Sequence, residues 1–270
     1  MITFNKLGKM GRLGNQLFQI ASTIGIARAL NNAPAFPKWE YQDYFENHLP
    51  LLINVNVPAP TVEHGYHFKS YVGTVAVDLA LEGYLQSPKY WEGHEDEVKS
   101  YFKLTQESFH TAFTNWLEII KQIPPRKKLE TIGLHVRRGD YVDISDRHTD
   151  LCSTKYYELA LKKMQELLGY KNLQVILFSD DIAYCKEHFK DMSEFYYAPV
   201  TDPVIDLFTF SLCDHFIIAN SSFSWWAAYL AGNKVSHVVS PGDMIPWFGP
   251  AYNQSEYNTR DLIPKEWFQI

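Results

Sequence analysis

The residues best suited to chemistry lie in one short stretch near the middle of the chain. Residues 131–136 alternate in hydrophobicity and are typical of a buried strand, which carries His135 and ends in Arg137 and Arg138, with Asp140 just beyond. Adjacent arginines suit a diphosphate, because each planar fork donates parallel hydrogen bonds to paired oxygens. Surface salt bridges are the ordinary role of such arginines, but open α/β sheets bind ligands at strand ends. The stretch therefore predicts an anion-binding crevice.

A glycine-rich turn near the N-terminus is a second candidate anion site. It connects a predicted strand at 2–5 to an apolar face at helical spacing, and its glycines are Gly8, Gly11 and Gly14. A turn that opens a helix presents free backbone N–H groups to an anion. The spacing matches neither a P-loop nor a dinucleotide fingerprint, and a plain structural turn is the alternative. Arg12 and Asn15 favour a binding role, because a plain turn needs neither.

A third candidate lies between a predicted strand at 215–219 and a predicted helix at 222–231. Asn220, Ser221 and Ser222 form this junction. Their polar side chains and the N–H groups of the helix start are suited to a phosphate. An ordinary serine N-cap is an equally good interpretation.

Strands and helices alternate through the second half of the chain. This alternation predicts a parallel α/β sheet with right-handed crossovers. Asp180 and Asp181 follow a predicted strand, where capping of the next helix and a ligand-binding role are equally good interpretations. The predicted strands are 131–136, 174–178, 195–197, 215–219 and 235–240, and the predicted helices are 154–168, 182–189, 202–213 and 222–231.

The first half is less regular. Helices are predicted at 88–102 and 109–123, whereas 31–86 is aromatic and proline-rich without clear periodicity. Its rings, such as Trp39 and Phe45, are assigned to core packing ahead of a sugar-stacking face.

A linker is predicted where Pro124 and Pro125 precede three basic residues. With 270 residues, the chain has room for one large domain or two small ones. The predicted domains are 1–125 and 126–270, with a tail of the second domain that packs back on the first.

Composition limits the classes of function. Apolar residues make up 46% of the chain and charged residues 21%, as in globular proteins. The net charge of −6 argues against nucleic acid or an anionic membrane as the main partner. Three scattered cysteines and the lack of a signal peptide or transmembrane run predict a cytoplasmic location. Peripheral contact with a membrane that carries a lipid-linked acceptor is compatible with this composition.

Four segments resemble one enzyme family. Residues 135–141, His-Val-Arg-Arg-Gly-Asp-Tyr, are similar to the first signature of bacterial-type α-1,2-fucosyltransferases. These form glycosyltransferase family 11, within the α-1,2/α-1,6/protein O-fucosyltransferase group. Residues 11–16 and 220–226 match two other segments in the family's order, and 83–87 resembles a fourth. Together they bracket most of the chain.

The resemblance implies two Rossmann-like domains in a GT-B-type fold, with an acceptor-side first domain and a GDP-sugar-binding second domain. It implies an inverting transfer of L-fucose from GDP-fucose, as co-substrate, to the 2-hydroxyl of a galactoside. No Asp-x-Asp motif or His/Asp cluster at metal spacing is present, so neither a metal nor another cofactor is expected.

The resemblance also assigns roles to residues. Asp206, a carboxylate in an apolar helix, corresponds to a position that contacts guanine, and a carboxylate can accept bonds from the guanine N1–H and 2-amino groups. His135 corresponds to another position near the base. Arg137 is expected to neutralise the departing β-phosphate. The full catalytic set is Arg137, Arg138, Asn15 and Asp140, and the donor-binding set is His135, Arg137, Asp206, Ser221, Ser222, Arg12 and Gly14.

Some alternatives stay open. The spacing does not select a general base among the acidic and histidine side chains after the arginines, which are Asp140, Asp143, Asp146, His148 and Asp150. Another fucosyl linkage, another GDP-sugar, or a carbohydrate-binding protein without catalysis are the alternative functions. The binding protein ranks low, because it has no need of Arg137 and Arg138.

Overall fold

The strands pair in parallel in both sheets of the protein. The structure is a computed structural model that describes residues 1–53, 58–63, 66–73, 78–124, 130–169, 172–190, 195–231, 236–242 and 244–270. The chain divides into two units. Unit 1 comprises 1–108 and 259–264, and unit 2 comprises 109–258 and 265–270. The predicted α/β class with parallel sheets is confirmed.

Unit 1 contains a four-stranded sheet with the order β2-β1-β4-β3. Its strands are β1 (Ile2–Thr3), β2 (Pro34–Ala35), β3 (Pro60–Val62) and β4 (Leu79–Glu82). Its helices are α1 (Leu13–Ala29) and α2 (Glu95–Tyr101), and α3 (Gln106–Ile120) begins at its end. The described residues of the irregular segment 31–86 thus supply three short strands. Strands of two to four residues are too short to display a period-2 pattern, so the sequence did not reveal them.

Helix α1 is buried along most of its length. The side-chain amide of Gln16 donates to the Gly11 carbonyl at 3.1 Å and so ties the glycine-rich turn to the helix. Gly25 faces the backbone of Tyr90, where an added Cβ would lie 2.1 Å from the carbonyl oxygen. A larger residue at this position would therefore separate α1 from the segment that carries Tyr90.

The helix predicted at 88–102 is interrupted. A 3-10 turn at Pro88–Trp91 precedes α2, and Gly93 between them adopts a φ of +82°. A left-handed residue cannot continue a right-handed helix, so one predicted helix becomes two short elements.

The aromatic residues of unit 1 pack mainly in its core. Trp39 and Phe45 are buried and stack at 5.3 Å between ring centroids, and Tyr71 is also buried. The preference for core packing over a sugar-stacking face is confirmed for these three residues.

Unit 2 contains a six-stranded sheet with the order β10-β9-β8-β5-β6-β7. Its strands are β5 (Thr131–Val136), β6 (Gln174–Ser179), β7 (Phe195–Tyr197), β8 (His215–Ile217), β9 (Val238–Ser240) and β10 (Phe268–Gln269). Its helices after β5 are α4 (Tyr156–Leu168), α5 (Ile182–His188), α6 (Pro203–Ser211) and α7 (Ser222–Leu230). The alternation of strands and helices follows the sequence prediction, although several elements are shorter than their predicted ranges.

The register of the central strand β5 places three strand ends at one edge. Val136 lies opposite Ser179 of β6, and Leu134 lies opposite Ile217 of β8. Because parallel strands share one carboxyl edge, the residues that follow β5, β6 and β8 emerge as neighbours. Gly133 allows close packing beneath this edge, since an added Cβ would lie 2.3 Å from the Phe210 ring.

The units divide after Ser108, not at the predicted boundary between 125 and 126. The reason is that α3 packs on unit 2, where the Ala112 carbonyl accepts a hydrogen bond from the Thr209 hydroxyl at 3.2 Å. The tail segment Thr259–Pro264 belongs to unit 1. Most of the predicted linker at 124–128 lies outside the described residues, since only Pro124 is described.

Candidate active site

Arg137 follows β5 and is paired with two carboxylates. Its Nη1 donates to Asp180, which follows the neighbouring strand β6, and its Nη2 donates to Asp140. The guanidinium carbon also lies 5.3 Å from the centroid of the Tyr141 ring. Only 14% of the Arg137 side chain is exposed. The predicted cation is thus in place at the strand end, held by charged hydrogen bonds.

Arg138 has a different environment. Its guanidinium carbon lies 3.6 Å from the centroid of the Tyr184 ring, a cation–π contact. Its Nε is buried and has no hydrogen-bond partner among the described residues. Its backbone N–H donates to Asp180 at 2.9 Å. A buried donor without a partner is available to an anionic ligand.

His135 is a buried neutral histidine beside the arginines. Its ring lies between Phe223 at 5.3 Å and Phe210 at 6.1 Å, measured between ring centroids. Burial, reinforced by the nearby charge of Arg137, lowers the pKa of His135 to about 3. Its Nδ1 is buried without a hydrogen-bond partner among the described residues. A neutral imidazole can recognise a ligand by hydrogen bonding without adding charge.

The loop after Arg138 is connected to the junction after β8. Tyr141 stacks on His148 at 4.1 Å between centroids, and its hydroxyl donates to the Asn220 carbonyl at 3.1 Å. The Asn220 side chain is buried and donates to the carbonyls of Thr149 and Trp247, both at 2.9 Å. Asn220 therefore joins three segments of this edge and acts as a structural residue.

The start of α7 lies at this edge. Ser221 occupies the N-cap position, but its side chain makes no capping hydrogen bond. Ser222 is the first residue of the helix, and Phe223, the second, contacts His135. The ordinary N-cap interpretation of Ser221 is therefore not what the structure contains. Helix α7 begins after β8, which is the neighbour of the strand β5 that precedes Arg137, and the N–H groups of a helix start are suited to a phosphate.

Asp206 lies in the first turn of α6 and closes the loop before it. Its carboxylate accepts hydrogen bonds from the Thr201 hydroxyl at 2.6 Å and from the Thr201 backbone N–H at 3.0 Å. Burial raises the pKa of Asp206 above its usual range. Asp202 is the N-cap of the same helix. Asp206 thus has an internal role, and its contact with guanine stays a prediction.

The three predicted residues of the glycine-rich turn lie in unit 1. Arg12 is the N-cap residue of α1, Gly14 is in its first turn, and Asn15 follows. The side-chain oxygen of Asn15 accepts a hydrogen bond from the Gln86 amide at 2.7 Å. Gly11 has a φ of +77°, and an added Cβ there would lie 2.6 Å from the Asn15 side chain.

The candidates for the general base have different environments. Asp140 is engaged with Arg137, and Asp150 caps a 3-10 turn by accepting from the Cys152 N–H at 3.1 Å. Asp143 and Asp146 are exposed. Burial lowers the pKa of His148. The geometry of unit 2 does not select one of them.

The structure therefore brings together His135, Arg137, Arg138, Asp140, Ser221 and Ser222 in unit 2. The sequence pattern leaves capping and ligand-binding roles equally open for Asp180, and the structure places its carboxylate against Arg137 and Arg138. Asp181 is the residue that caps α5, by accepting from the Tyr184 N–H at 3.0 Å. The position of Asp180 after the strand next to β5 was the signal that identifies it.

Within the described ranges, no group of three His, Cys, Asp or Glu side chains is placed to hold a metal ion. In the same part of the chain, no helix combines the length and apolar character that a membrane crossing requires.

Known proteins with glycosyltransferase names align with most of this chain. Alpha-1,2-colitosyltransferase of Escherichia coli is 24% identical, over 96% of this chain and 96% of the relative. Galactoside alpha-(1,2)-fucosyltransferase 2 of Hylobates lar is 25% identical, over 87% of this chain and 71% of the relative. Both relatives carry α-1,2-glycosyltransferase names.

The fold is also shared with solved structures. NodZ alpha-1,6-fucosyltransferase of Bradyrhizobium, in crystals soaked with GDP-fucose, superposes with a TM-score of 0.53 at 14% identity, over 85% of this chain and 92% of that chain. This similarity shows a GT-B-like fold, as the resemblance implied. The family model described as Glycosyl transferase family 11 matches residues 2–258. Because this match spans nearly all of the sequence, the chain belongs to glycosyl transferase family 11.

Proposed function

We propose that the protein transfers L-fucose from GDP-fucose to the 2-hydroxyl of a terminal galactoside, with inversion at the anomeric carbon. The observation that carries the proposal is the edge of unit 2, where Arg137 and Arg138 lie beside the start of α7. Fixed cations and helix N–H groups are the elements that bind a nucleoside diphosphate. The names of the relatives supply the sugar and the linkage.

In the proposed reaction, the galactoside oxygen attacks the anomeric carbon as the bond to the β-phosphate oxygen breaks. GDP leaves with the bonding electrons, and the galactoside proton passes to a base. Negative charge grows on the β-phosphate, and fixed cations lower the barrier most when they act on that growing charge. Arg137 and Arg138 are proposed for this role, with Asn15 and Ser222 as additional donors.

The carboxylate partners of Arg137 set a condition on this mechanism. Both terminal nitrogens of Arg137 are engaged, with Asp180 and Asp140. A diphosphate would therefore first bind through Arg138 and the α7 N–H groups. It would form hydrogen bonds with Arg137 once Asp140 or Asp180 has been displaced from that guanidinium. Asp140 is the proposed candidate for the base, because displacement from Arg137 would release its carboxylate.

Asp206 and His135 are proposed to select the guanine base. The Asp206 carboxylate accepts hydrogen bonds from Thr201 on both oxygens, so the guanine donors would bind in addition to these bonds or in place of them. Metal independence is a further part of the proposal, because arginines supply the charge that a divalent cation supplies elsewhere. If activity persists in excess EDTA, this part holds; loss that magnesium or manganese restores would contradict it.

The proposed setting is cytoplasmic, with peripheral contact when the galactoside is carried by a membrane lipid.

The test of function is incubation with labelled GDP-fucose and a panel of galactosides. Formation of a labelled product with an α-1,2 link is the expected result. A carbohydrate-binding protein without catalysis would retain the galactoside and leave GDP-fucose intact.

Transfer of a colitosyl group is the second candidate. It is favoured by the colitosyltransferase relative, which aligns over 96% of both chains. A competition experiment with GDP-fucose and GDP-linked colitose at equal concentration distinguishes the two. A higher kcat/KM for the colitose donor would replace fucose as the proposed sugar.

A further inference from the structure

A carboxylate in unit 1 holds a strained backbone segment. The Glu63 Oε2 atom accepts hydrogen bonds from the backbone N–H groups of Tyr84 at 2.8 Å and Leu85 at 2.9 Å. Gly83, with a φ of +151°, makes room for it, because an added Cβ would lie 2.4 Å from the Glu63 Cβ. The carboxylate is thus fitted closely against this turn.

Leu85 is the strained residue. Its φ is +51°, in the left-handed region that residues other than glycine rarely adopt, and its side chain is completely buried. Its carbonyl accepts a hydrogen bond from the Ser22 hydroxyl at 2.8 Å. Glu63 on the N–H side and Ser22 on the carbonyl side therefore hold the peptide in a conformation it would otherwise leave. Strain of this kind persists where the surroundings determine it, often at functional sites.

Gln86, the residue after Leu85, connects this turn to Asn15 by a hydrogen bond. Gln86 is 9% exposed, and its Nε2 donates to the Asn15 Oδ1 at 2.7 Å. With its oxygen accepting from Gln86, Asn15 has its amide nitrogen as the end suited to an anionic ligand. Gly11 also lies against the Asn15 side chain, since an added Cβ there would lie 2.6 Å from the Asn15 Cβ and Nδ2.

We propose that Gln86 and Glu63 are positioning residues of the donor site: Gln86 orients the Asn15 amide, and Glu63 holds the turn that carries Gln86. The inference rests on the proposed function, in which Asn15 donates to the diphosphate. It adds two residues that act through Asn15 and do not themselves touch the donor.

The first arm of the test does not depend on the donor. In ¹⁵N-labelled protein, the Asn15 side-chain amide signals are assigned by their loss in Asn15→Ala. Gln86→Ala should shift these signals, because the bond to Oδ1 is gone. Glu63→Gln should leave them in place, since the amide oxygen of glutamine can accept both backbone N–H groups. Asn15 signals that do not move in Gln86→Ala would overturn the proposal.

The second arm measures coupling in transfer. Gln86→Ala and Asn15→Ala should each lower kcat/KM by about tenfold to a hundredfold, as misplacement of a catalytic group does. The double variant should be no slower than Asn15→Ala alone, because Gln86 acts through Asn15. If the losses in kcat/KM of the two single variants multiply in the double variant, Gln86 has a role separate from Asn15 and the proposal is overturned.

Glu63 is tested by the pair Glu63→Ala and Glu63→Gln, with Glu82→Gln as the control. Glu82 lies at the end of β4 in the same unit and pairs with Lys6 at the surface, so its substitution should change neither kinetics nor the Asn15 signals. Glu63→Gln should match wild type, and Glu63→Ala should resemble Gln86→Ala. If Glu63→Ala does not fold, the Gln86→Ala arms still decide the proposal. A wild-type protein inactive with GDP-fucose whose Asn15 signals respond as expected would overturn the proposed function and leave the positioning intact.

Discussion

Asp180 contacts both of the adjacent arginines at the centre of the candidate site. One of its oxygens accepts from the Arg137 guanidinium, and the other accepts from the backbone N–H of Arg138 at 2.9 Å. Gly139 gives it room, because an added Cβ there would lie 2.5 Å from the same carboxylate. Arg137 is therefore oriented before any ligand binds, and its charge is already compensated. A diphosphate has to compete with Asp180 for this arginine.

Substitution of Asp180 tests this competition. Asp180→Asn retains an oxygen for the Arg138 N–H but removes the charge that competes with a phosphate. We expect GDP to bind about threefold to tenfold more tightly, close to 1 kcal/mol, as measured by titration calorimetry. Asp181→Asn is the matched control, since asparagine is an equally good N-cap. Weaker GDP binding by Asp180→Asn would show that the carboxylate supports the donor and does not compete with it.

Arg137 is predicted to act mainly in the transition state. Arg137→Ala should lower kcat by about a hundredfold, on the order of 3 kcal/mol of barrier, with a smaller change in the dissociation constant of GDP. Arg137→Lys should recover little, because lysine lacks the planar fork that matches paired oxygens. Arg260→Ala, at an arginine whose side chain is 64% exposed in unit 1, is the control. A folded Arg137→Ala protein with wild-type turnover would refute this role.

Guanine selection is predicted to appear as selective stabilisation. GDP at a hundred times its dissociation constant should stabilise the protein by about 2.7 kcal/mol, while ADP and UDP at the same concentration should not. Asp206→Asn should reduce the preference for GDP over ADP and UDP. An amide has one acceptor oxygen and one donor nitrogen, so it cannot accept from both guanine donors with two oxygens as a carboxylate does. Asp202→Asn keeps the N-cap and is the control. Equal melting shifts with ADP and GDP would contradict the assignment.

The pH dependence of stability should report Glu63. Burial is the main cause that raises the pKa of Glu63 from 4.5 to about 7, opposed by the hydrogen bonds from Leu85 and Tyr84. The folded state then binds the proton more strongly than the unfolded state. The free energy of unfolding should fall as pH rises from about 4.5 to about 7, by at most about 3 kcal/mol.

Glu63→Gln should remove this contribution and be more stable than wild type at pH 8. Chemical denaturation at several pH values measures it. Identical pH profiles for Glu63→Gln and wild type would show that the buried carboxylate titrates near its ordinary pKa.

The sequence by itself was sufficient for the parallel sheet of unit 2 and for the strand that ends in two arginines. The apolar run of β5 and the helical spacing of α4 and α7 are local patterns, repeated over enough residues to identify each element. The position of Arg137 and Ser222 at one sheet edge followed from a general rule, because parallel strands share their carboxyl edge. Membership of the family followed from short motifs in a fixed order.

Only the tertiary structure decided which residues are paired. The contact between Arg137 and Asp180 depends on the register that sets Val136 opposite Ser179, and no local pattern determines that register. The hydrogen bond from Gln86 to Asn15 joins residues that are far apart in the sequence. Gln86 follows Leu85, whose left-handed backbone donates a hydrogen bond to Glu63. Such pairs depend on long-range packing, and a linear pattern carries information only about neighbours along the chain. The sequence identified the charged groups of the site, and the fold determined their partners.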